Sequence, residues 1–347
     1  MEHKFFTRLA LLIAAASLSV SLFTGCDKMK TPTAPGRPIW VFAHGANKKM
    51  ATARALELGA NGVEIDVRSR DGVHWNLDHD HYYSEEECDR TDVPVEDVHV
   101  SLRWFLTQPV ARYDGNEFSV KLNDDPRLCA LWIDCKNEEH VESLVAYVHS
   151  CLPRGVEKYN FSIIYNLYTV PTVAERIDPF DPFSQYEVHV PDEYLQTMDR
   201  VFRSLEDNEY LNWGNCTMEE INFLFAELRK KNLTCSPSNH FFTRGIFDID
   251  QPQNTTASKR DDLRNVQLLE PGTFCKRYGV WSNVTANNAE AWINFGMQAV
   301  LTYFDQGVRP TVECRPNALP DLVWRIRNEE GSLYGKVHIA TRDEETF

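Results

Sequence analysis

The sequence predicts an α/β fold, specifically a (β/α)8 TIM barrel, on three observations. Strand-like and helix-like segments alternate from Arg37 to Tyr303, the pattern of a parallel sheet with helical crossovers. The stretch Pro38–Val67 reads strand, helix, strand, which requires parallel strands and a right-handed connection. His44, Glu64, Asp66, His79 and Asp134 each close a strand-like segment, and barrel enzymes carry their chemistry at the C-terminal ends of strands. Neither a glycine-rich dinucleotide fingerprint nor a Walker loop is present.

The elements follow in order. Lys4 and Arg8 precede the apolar run Leu9–Phe23 and the small residues Thr24 and Gly25, the layout of a secretory signal peptide over 1–25. A Pro-containing linker occupies 26–36, and one domain is expected over 37–347. Pro38–Ala43 is a buried strand. Lys48–Leu58 has helical spacing of Met50, Ala53 and Leu56, with Gly59 as its C-cap. Gly62–Val67 is the next strand, Trp75–Leu77 a third, and Glu85–Val98 an acidic loop. A helix is expected to start at Val100, followed by strand Cys129–Asp134, helix Glu138–Cys151 and strand Asn160–Tyr165. Thr169–Val190, with its three prolines, reads as an irregular excursion. Met218–Lys231 is an amphipathic helix, and Gln251–Asp262 reads as a surface loop. Late strands are expected at Val280–Trp281 and Ala299–Tyr303, with a helix around Ala289–Phe295 between them.

Composition narrows the function. Of 347 residues, 51 are acidic and 36 basic, for a net charge of −15. That excludes nucleic acid and strongly anionic surfaces as main partners, which basic faces usually meet, but leaves a zwitterionic lipid headgroup open. Besides Cys26, eight cysteines remain, and in an exported chain an even number reads as disulfides of undetermined connectivity. No Cys-x-x-Cys pair points to zinc. Sequons at Asn160, Asn215, Asn232, Asn254 and Asn283 agree with a secreted, extracellular destination.

The chemistry centres on carboxylates and histidines. Glu64 and Asp66 are one residue apart on a strand, so both side chains point to the same side. Alone, such a pair is ordinary on a surface, but Val63, Ile65 and Val67 alternate with it and turn the acids into the barrel mouth. Paired carboxylates need a cation, and an all-oxygen set suits Mg2+ or Ca2+, with Asp134 completing it. His44 and His79 are candidates for acid–base work, though His74 and His81 crowd His79 and chemistry alone does not choose among them. Lys136, two residues beyond Asp134, can neutralise charge developing on a phosphate. Trp281 can wall a pocket and hold a cationic group through its ring face.

The segments RPIWVFAH (from Arg37), GANGVEIDV (from Gly59), WNLDHD (from Trp75) and LWIDCKN (from Leu131) together resemble the sphingomyelinase D/phospholipase D toxin family of spiders, ticks, actinobacteria and fungi. That family lies within the glycerophosphodiester phosphodiesterase-like TIM barrels. The resemblance is dense over Arg37–Asp80 and Leu131–Asn137. It returns in ATRDEETF (Ala340–Phe347), which resembles the family's tail motif and implies a plug-like C-terminal tail at the barrel bottom.

The resemblance implies that His44 and His79 form a catalytic pair, with His79 selected over His81 by its Trp-x-x-Asp-His-Asp context. It places Glu64, Asp66 and Asp134 on the Mg2+ site, Lys136 on an active-site lysine and Trp281 near the headgroup. The implied substrate is a choline phospholipid at a membrane surface, such as sphingomyelin or lysophosphatidylcholine. A hydroxyl of the lipid itself attacks the phosphodiester, releasing choline and a cyclic phosphate. A monomer is implied, with no transmembrane segment in the mature chain. Three departures are visible: Thr302-Tyr303-Phe304-Asp305 stands where Thr-Asn-Tyr-Pro is usual, Ser282-Asn283-Val284 follows Trp281, and the tail ends Glu-Thr-Phe in place of Asn-Pro-Trp. The first two fall on headgroup contacts. Two other readings stay open here: a glycerophosphodiester phosphodiesterase hydrolysing soluble diesters, and a catalytically silent lipid-binding protein.

Overall fold

Among the described residues, eight parallel strands alternate with eight helices. They are β1 (Arg37–Ala43), α1 (Lys49–Glu57), β2 (Gly62–Arg68), α2 (Leu102–Thr107), β3 (Ala130–Cys135), α3 (Val141–Cys151), β4 (Ser162–Leu167) and α4 (Asp192–Ser204). Then follow β5 (Glu209–Trp213), α5 (Met218–Lys230), β6 (Phe241–Gly245), α6 (Ala257–Asn265), β7 (Arg277–Asn283), α7 (Ala286–Phe295), β8 (Ala299–Thr302) and α8 (Ala318–Arg327). This computed structural model describes residues 36–89, 100–108, 122, 125–152, 161–177, 185–245, 251–283, 285–305, 317–342 and 344. Residues Arg37–Phe347 form one compact unit.

The strands hydrogen-bond in the order β5-β4-β3-β2-β1-β8-β7-β6. The ring is nearly closed by a parallel bridge, Leu211 to His240, between β5 and the residue before β6. The (β/α)8 expectation therefore holds.

Period-two alternation sorts side chains into two cores. Trp40, Phe42, Trp132, Ile164, Tyr210, Phe241 and Leu301 fill the barrel interior. Edge-on ring contacts order them, with Phe42 to Trp132 at 5.6 Å and Trp132 to Phe241 at 5.5 Å. Their neighbours in the chain, such as Ile39, Val41, Ile65, Ile133 and Ile163, pack outward against the helices. Gly62 is part of the inner fit, because a Cβ there would stand 2.5 Å from the Phe42 ring. The helix starts are locally encoded. Ser101, Thr217, Thr256 and Thr285 each accept a backbone N–H as N-cap, and Thr217 with Glu220 makes a full capping box.

The C-terminal segment meets the bottom of the barrel. Val337–Ile339 pairs with the first residues of β1. Ala340 joins the inner cluster, its carbonyl accepts from Asn61 Nδ2 at 2.8 Å, and Arg342 Nε donates to Leu128 O at 2.6 Å. Asp343 and residues 345–347 of the expected plug lie outside the described residues, as do the signal segment and the linker up to residue 35.

Several expectations are corrected. Asn76–Leu77 is a two-residue strand antiparallel to β2, so it is not a barrel strand. Glu85–Cys88 is a short helix capped by Ser84 and Glu87, where a loop was expected. Ala257–Asn265 is also a helix; Leu263 is its one buried side chain, so it shows almost no apolar stripe. The excursion after β4 contains an exposed hairpin, Val173–Arg176 with Tyr186–His189. Disulfides are not found among the described residues: Cys88, Cys129, Cys135, Cys151, Cys216, Cys235 and Cys275 are free thiols. Cys129 packs inside the barrel, while Cys135, Cys216 and Cys275 pack between strands and helices as small apolar side chains. Burial pushes the Cys216 and Cys275 thiols up to about 12. Asn215, Asn232 and Asn254 are exposed, whereas Asn160 and the side chain of Asn283 lie outside the described set. No helix among the described residues is long and apolar enough to cross a membrane.

Candidate active site

Strand register builds the site. Asp66 of β2 aligns with Asp134 of β3, Asp134 with Asn166 of β4, and Asn166 with Asn212 of β5. All four face inward, so a polar layer sits above the aromatic filling of the barrel. The layer is continuously hydrogen-bonded: Asn166 Nδ2 donates to Asp134 Oδ1 at 2.8 Å, Asn212 Nδ2 to Asn166 Oδ1 at 2.5 Å, and Asn212 Nδ2 to Thr243 Oγ1 at 2.9 Å.

Above it lies a cavity of about 580 Å³ whose lining includes all seven residues singled out from the sequence: His44, Glu64, Asp66, His79, Asp134, Lys136 and Trp281. Glu64, Asp66 and Asp134 offer carboxylate oxygens within 4.8 Å of one another, an arrangement that could hold a divalent cation. Each acid is fixed separately. The N–H of Gly45, in a left-handed turn at φ 69°, donates to Glu64 Oε2 at 2.5 Å. Asn47 grips Asp66 twice, its Nδ2 donating to Oδ2 at 2.7 Å and its Oδ1 accepting the Asp66 N–H at 2.7 Å. Asp134 Oδ2 accepts the Tyr168 hydroxyl at 2.6 Å.

Lys136 binds the acids together. Its Nζ stands 2.8 Å from Asp66 Oδ1, 2.6 Å from Asp134 Oδ2 and 2.6 Å from the Tyr168 oxygen. Burial works against the ammonium, but the charges of Asp134 and Asp66 outweigh it and hold Lys136 firmly protonated. Burial alone would raise Asp66, yet the Lys136 charge and the hydrogen bonds from Asn47 and Lys136 pull it below the usual carboxylate range. Glu64 goes the other way: burial, then repulsion from Asp66 and Asp134, lifts it well above that range.

The donor set fits a hard divalent cation. Glu64 Oε1 is buried with no hydrogen-bond partner, while Lys136 supplies the only full positive charge among the cavity's acidic contacts on the described residues. A second cation facing Glu64 would satisfy that oxygen and reverse the push on its ionisation.

The two histidines differ. His44 follows β1, its backbone N–H donating to Thr302 O at 2.9 Å. Its Nε2 lies 3.8 Å from Glu64 Oε2, and its ring packs on Tyr303 at 4.6 Å between centroids. His79 sits on the loop after Asn76–Leu77, its side chain 61% exposed and its Nδ1 2.7 Å from Asp80 Oδ1. Asp78 shapes that loop by accepting the N–H groups of Asp80 and His81 at 2.7 and 2.9 Å. His81 is 74% exposed and outside the cavity lining, and His74 pairs with Asp71 and Asp89 elsewhere. Of the three crowded histidines, His79 is the one the fold places on the cavity.

Trp281 is held in a slot between glycines. Its Nε1 donates to Gly214 O at 3.1 Å, and a Cβ on Gly245 would meet the indole at 2.5 Å.

Sequence reasoning did not single out Asn47, Asn166 or Tyr168, and named Tyr303 only within a departure from the family's motif. A signal was available for two of them: Asn166-x-Tyr168 repeats at the end of β4 the spacing of Glu64-x-Asp66 and Asp134-x-Lys136. Asn47 lies in a turn, where no periodicity marks it.

No family model and no curated protein matches the chain. Solved structures similar to it include a glycerophosphodiester phosphodiesterase from Parabacteroides distasonis, 14% identical over 77% of this chain and 93% of that one, with a TM-score of 0.39. A glycerophosphodiester phosphodiesterase from Thermotoga maritima is 14% identical over 76% and 94%, with a TM-score of 0.38. An Oleispira antarctica phosphodiesterase, solved with the product sn-glycerol-3-phosphate, is 16% identical over 76% and 92%, with a TM-score of 0.36.

Proposed function

We propose that the protein is a secreted, Mg2+-dependent phospholipase D of the sphingomyelinase D type. In this reading it cleaves choline phospholipids by internal transfer and works as a monomer. The observation that carries this reading is the grouping of three carboxylates, Lys136, His44 and His79 around one cavity at the strand ends. The ordered motifs shared with the sphingomyelinase D family supply the reaction type and the choice of metal.

Glu64, Asp66 and Asp134 would hold Mg2+, which when bound supplies Lewis-acid polarisation of the phosphate oxygens. Lys136, locked in its charged form, adds a fixed positive charge beside the phosphate. One histidine takes the proton of the lipid's own hydroxyl as its oxygen bonds to phosphorus. The other gives a proton to the choline oxygen as the phosphorus–oxygen bond breaks. The products are choline and a cyclic phosphate, and the atoms balance without water. An internal nucleophile suits the site because it arrives already positioned. Trp281, held edge-on by Gly214 and Gly245, offers its ring to the quaternary ammonium.

The test is choline release from a panel of sphingomyelin, lysophosphatidylcholine and glycerophosphocholine, with Mg2+ and with chelator. Metal-dependent release from the two lipids supports the reading. Turnover of glycerophosphocholine alone would replace it with hydrolysis of soluble diesters, and no turnover of any substrate would leave a lipid-binding protein.

A further inference from the structure

The two histidines of the site are held by different means. His44 is fixed by the barrel, with its N–H on Thr302 O at 2.9 Å and its ring on Tyr303. His79 stands in a loop, two residues past the short strand Asn76–Leu77, and its side chain is 61% exposed. Asp80 Oδ1, 2.7 Å from its ring, belongs to the same loop and moves with it. A general acid or base must stay within hydrogen-bond reach of the proton it moves. A misplacement of about 1 Å can cost about 100-fold in rate. The backbone around His79 therefore has to be tied to the strands that carry the carboxylates.

Arg68 makes that tie. It is the last residue of β2, two beyond Asp66 and so on the same side of the strand. Its Nε donates to the His79 carbonyl at 2.7 Å. Its Nη1 donates to the Tyr82 hydroxyl at 3.3 Å, and its guanidinium stands 5.2 Å from the centre of that ring. Tyr82, three residues after His79, is held in turn from β3, where Asn137 Nδ2 donates to its oxygen at 3.0 Å. Asn137 directly follows Lys136, and its Oδ1 accepts the Ser69 N–H at 3.2 Å, which joins the exits of β2 and β3. The loop is thus gripped at His79 and again at Tyr82, from the two strands that carry Asp66 and Asp134. A surface contact between an arginine and a tyrosine would leave His79 out, whereas this guanidinium holds the His79 carbonyl and Tyr82 together. A lysine lacks the planar fork that serves both.

We propose that Arg68 is a positioning residue which, with Tyr82 and Asn137, clamps the loop so that His79 stays at the cavity. The inference rests on the phospholipase reading for the reaction that His79 serves, but the clamp can be observed without turnover. None of the three residues is among those that line the cavity, so substrate and metal contacts should be untouched when the clamp is opened.

The experiment measures choline release by the wild type, Arg68→Ala, Arg68→Lys, His79→Ala and the double variant Arg68→Ala, His79→Ala, and follows the histidine ring signals of the full chain by NMR. Arg68→Ala should lower kcat about 100-fold, while KM and the Mg2+ concentration for half-maximal activity stay within about twofold. Arg68→Lys should recover part of that loss. In the His79→Ala background, removal of Arg68 should cost nothing further, because groups that act as a unit are not additive. The His79 ring signal should shift in Arg68→Ala while that of His44 stays in place. Tyr82→Phe keeps the ring and loses only its hydrogen bonds, so it should show the same pattern at about tenfold even if Arg68→Ala does not fold. An additive loss in the double variant would overturn the inference, as would a raised KM with unchanged kcat or a His79 signal that does not move. A wild type that turns over no choline substrate, with the His79 signal still displaced by Arg68→Ala, would remove the phospholipase reading and keep the clamp. Turnover with an unmoved His79 signal would do the reverse.

Discussion

The Tyr168 hydroxyl donates to Asp134 Oδ2 at 2.6 Å, tying the exit of β4 to the carboxylate at the end of β3. The same phenol oxygen accepts from Lys136 Nζ at 2.6 Å, so one side chain orients both an acid and the lysine that neutralises it. Hydrogen bonds that aim a ligand are worth about 10- to 100-fold in metal affinity. Tyr168→Phe should therefore raise the Mg2+ concentration for half-maximal activity by about that factor, with the fold retained. Titration of activity and of binding heat against Mg2+ checks this; an unchanged metal dependence would remove Tyr168 from the site.

Asn47 performs the matching task for Asp66 through two hydrogen bonds of 2.7 Å. Asn47→Ala leaves the carboxylate with Lys136 alone and should weaken divalent-cation binding by about tenfold. Asn47→Asp should bind the cation more tightly than Asn47→Ala, because it replaces the donor to Asp66 with a fourth carboxylate beside Glu64, Asp66 and Asp134. Calorimetric titration of the three proteins with Mg2+ gives the ranking.

Gly245→Ala tests the slot that holds Trp281. The new methyl would sit 2.5 Å from the indole, so the ring must move or the strand must shift. Overpacking of this kind costs about 1–3 kcal/mol. A fall in thermal stability is expected together with a higher KM for choline substrates. If the tryptophan is only core, stability will fall and KM will not.

His240 forms the seam between β5 and β6 and is caged by Trp213, Phe225 and Phe274 at 5.5, 5.5 and 5.1 Å between centroids. Burial drives its ring down to about 4, with Nδ1 held 2.8 Å from Phe274 O. The folded chain thus resists a proton that the unfolded chain accepts near its ordinary value, so this contribution to stability is present above pH 6.5 and is lost as pH falls toward 4. The loss should be on the order of 3 kcal/mol. Denaturant melts at pH 7.5 and pH 4.5 should differ by more in the wild type than in His240→Gln.

The parts of this architecture legible in the sequence were those with an uninterrupted apolar run. Strands β1 and β3 place apolar residues on the outward face and one or two large rings inside, β2 alternates Val63, Ile65 and Val67 with its acids, and the ends of β2 and β3 carry the carboxylates. Strands β5 and β6 escaped notice because Glu209, Asn212, Thr243 and Gly245 break their apolar pattern. Glu209, Asn212 and Thr243 are buried, and Gly245 is half-buried beside Trp281. Helix α4 begins after Pro191, just past the Thr169–Val190 excursion, and was not read from the sequence. Glu64 with Asp66 and Asp134 with Lys136 were found as pairs at strand ends, whereas Asn47, in a turn, and Tyr168, just past the end of β4, were missed. Register across β2, β3, β4 and β5 is a tertiary property, and it is what joins the pairs into one layer.

The central claim is internal phosphoryl transfer at the Glu64–Asp66–Asp134 centre by His44 and His79. Phosphorus NMR of sphingomyelin digests tests it most directly, comparing wild type with Mg2+, wild type with chelator, and His44→Ala with Mg2+. A cyclic lipid phosphate should appear with choline in the first sample and vanish in the second. In the third it should form about 100- to 10,000-fold more slowly, the usual contribution of a general acid or base. Choline release that survives both the chelator and the loss of His44 would contradict the account, as would a linear phosphomonoester formed without any cyclic product.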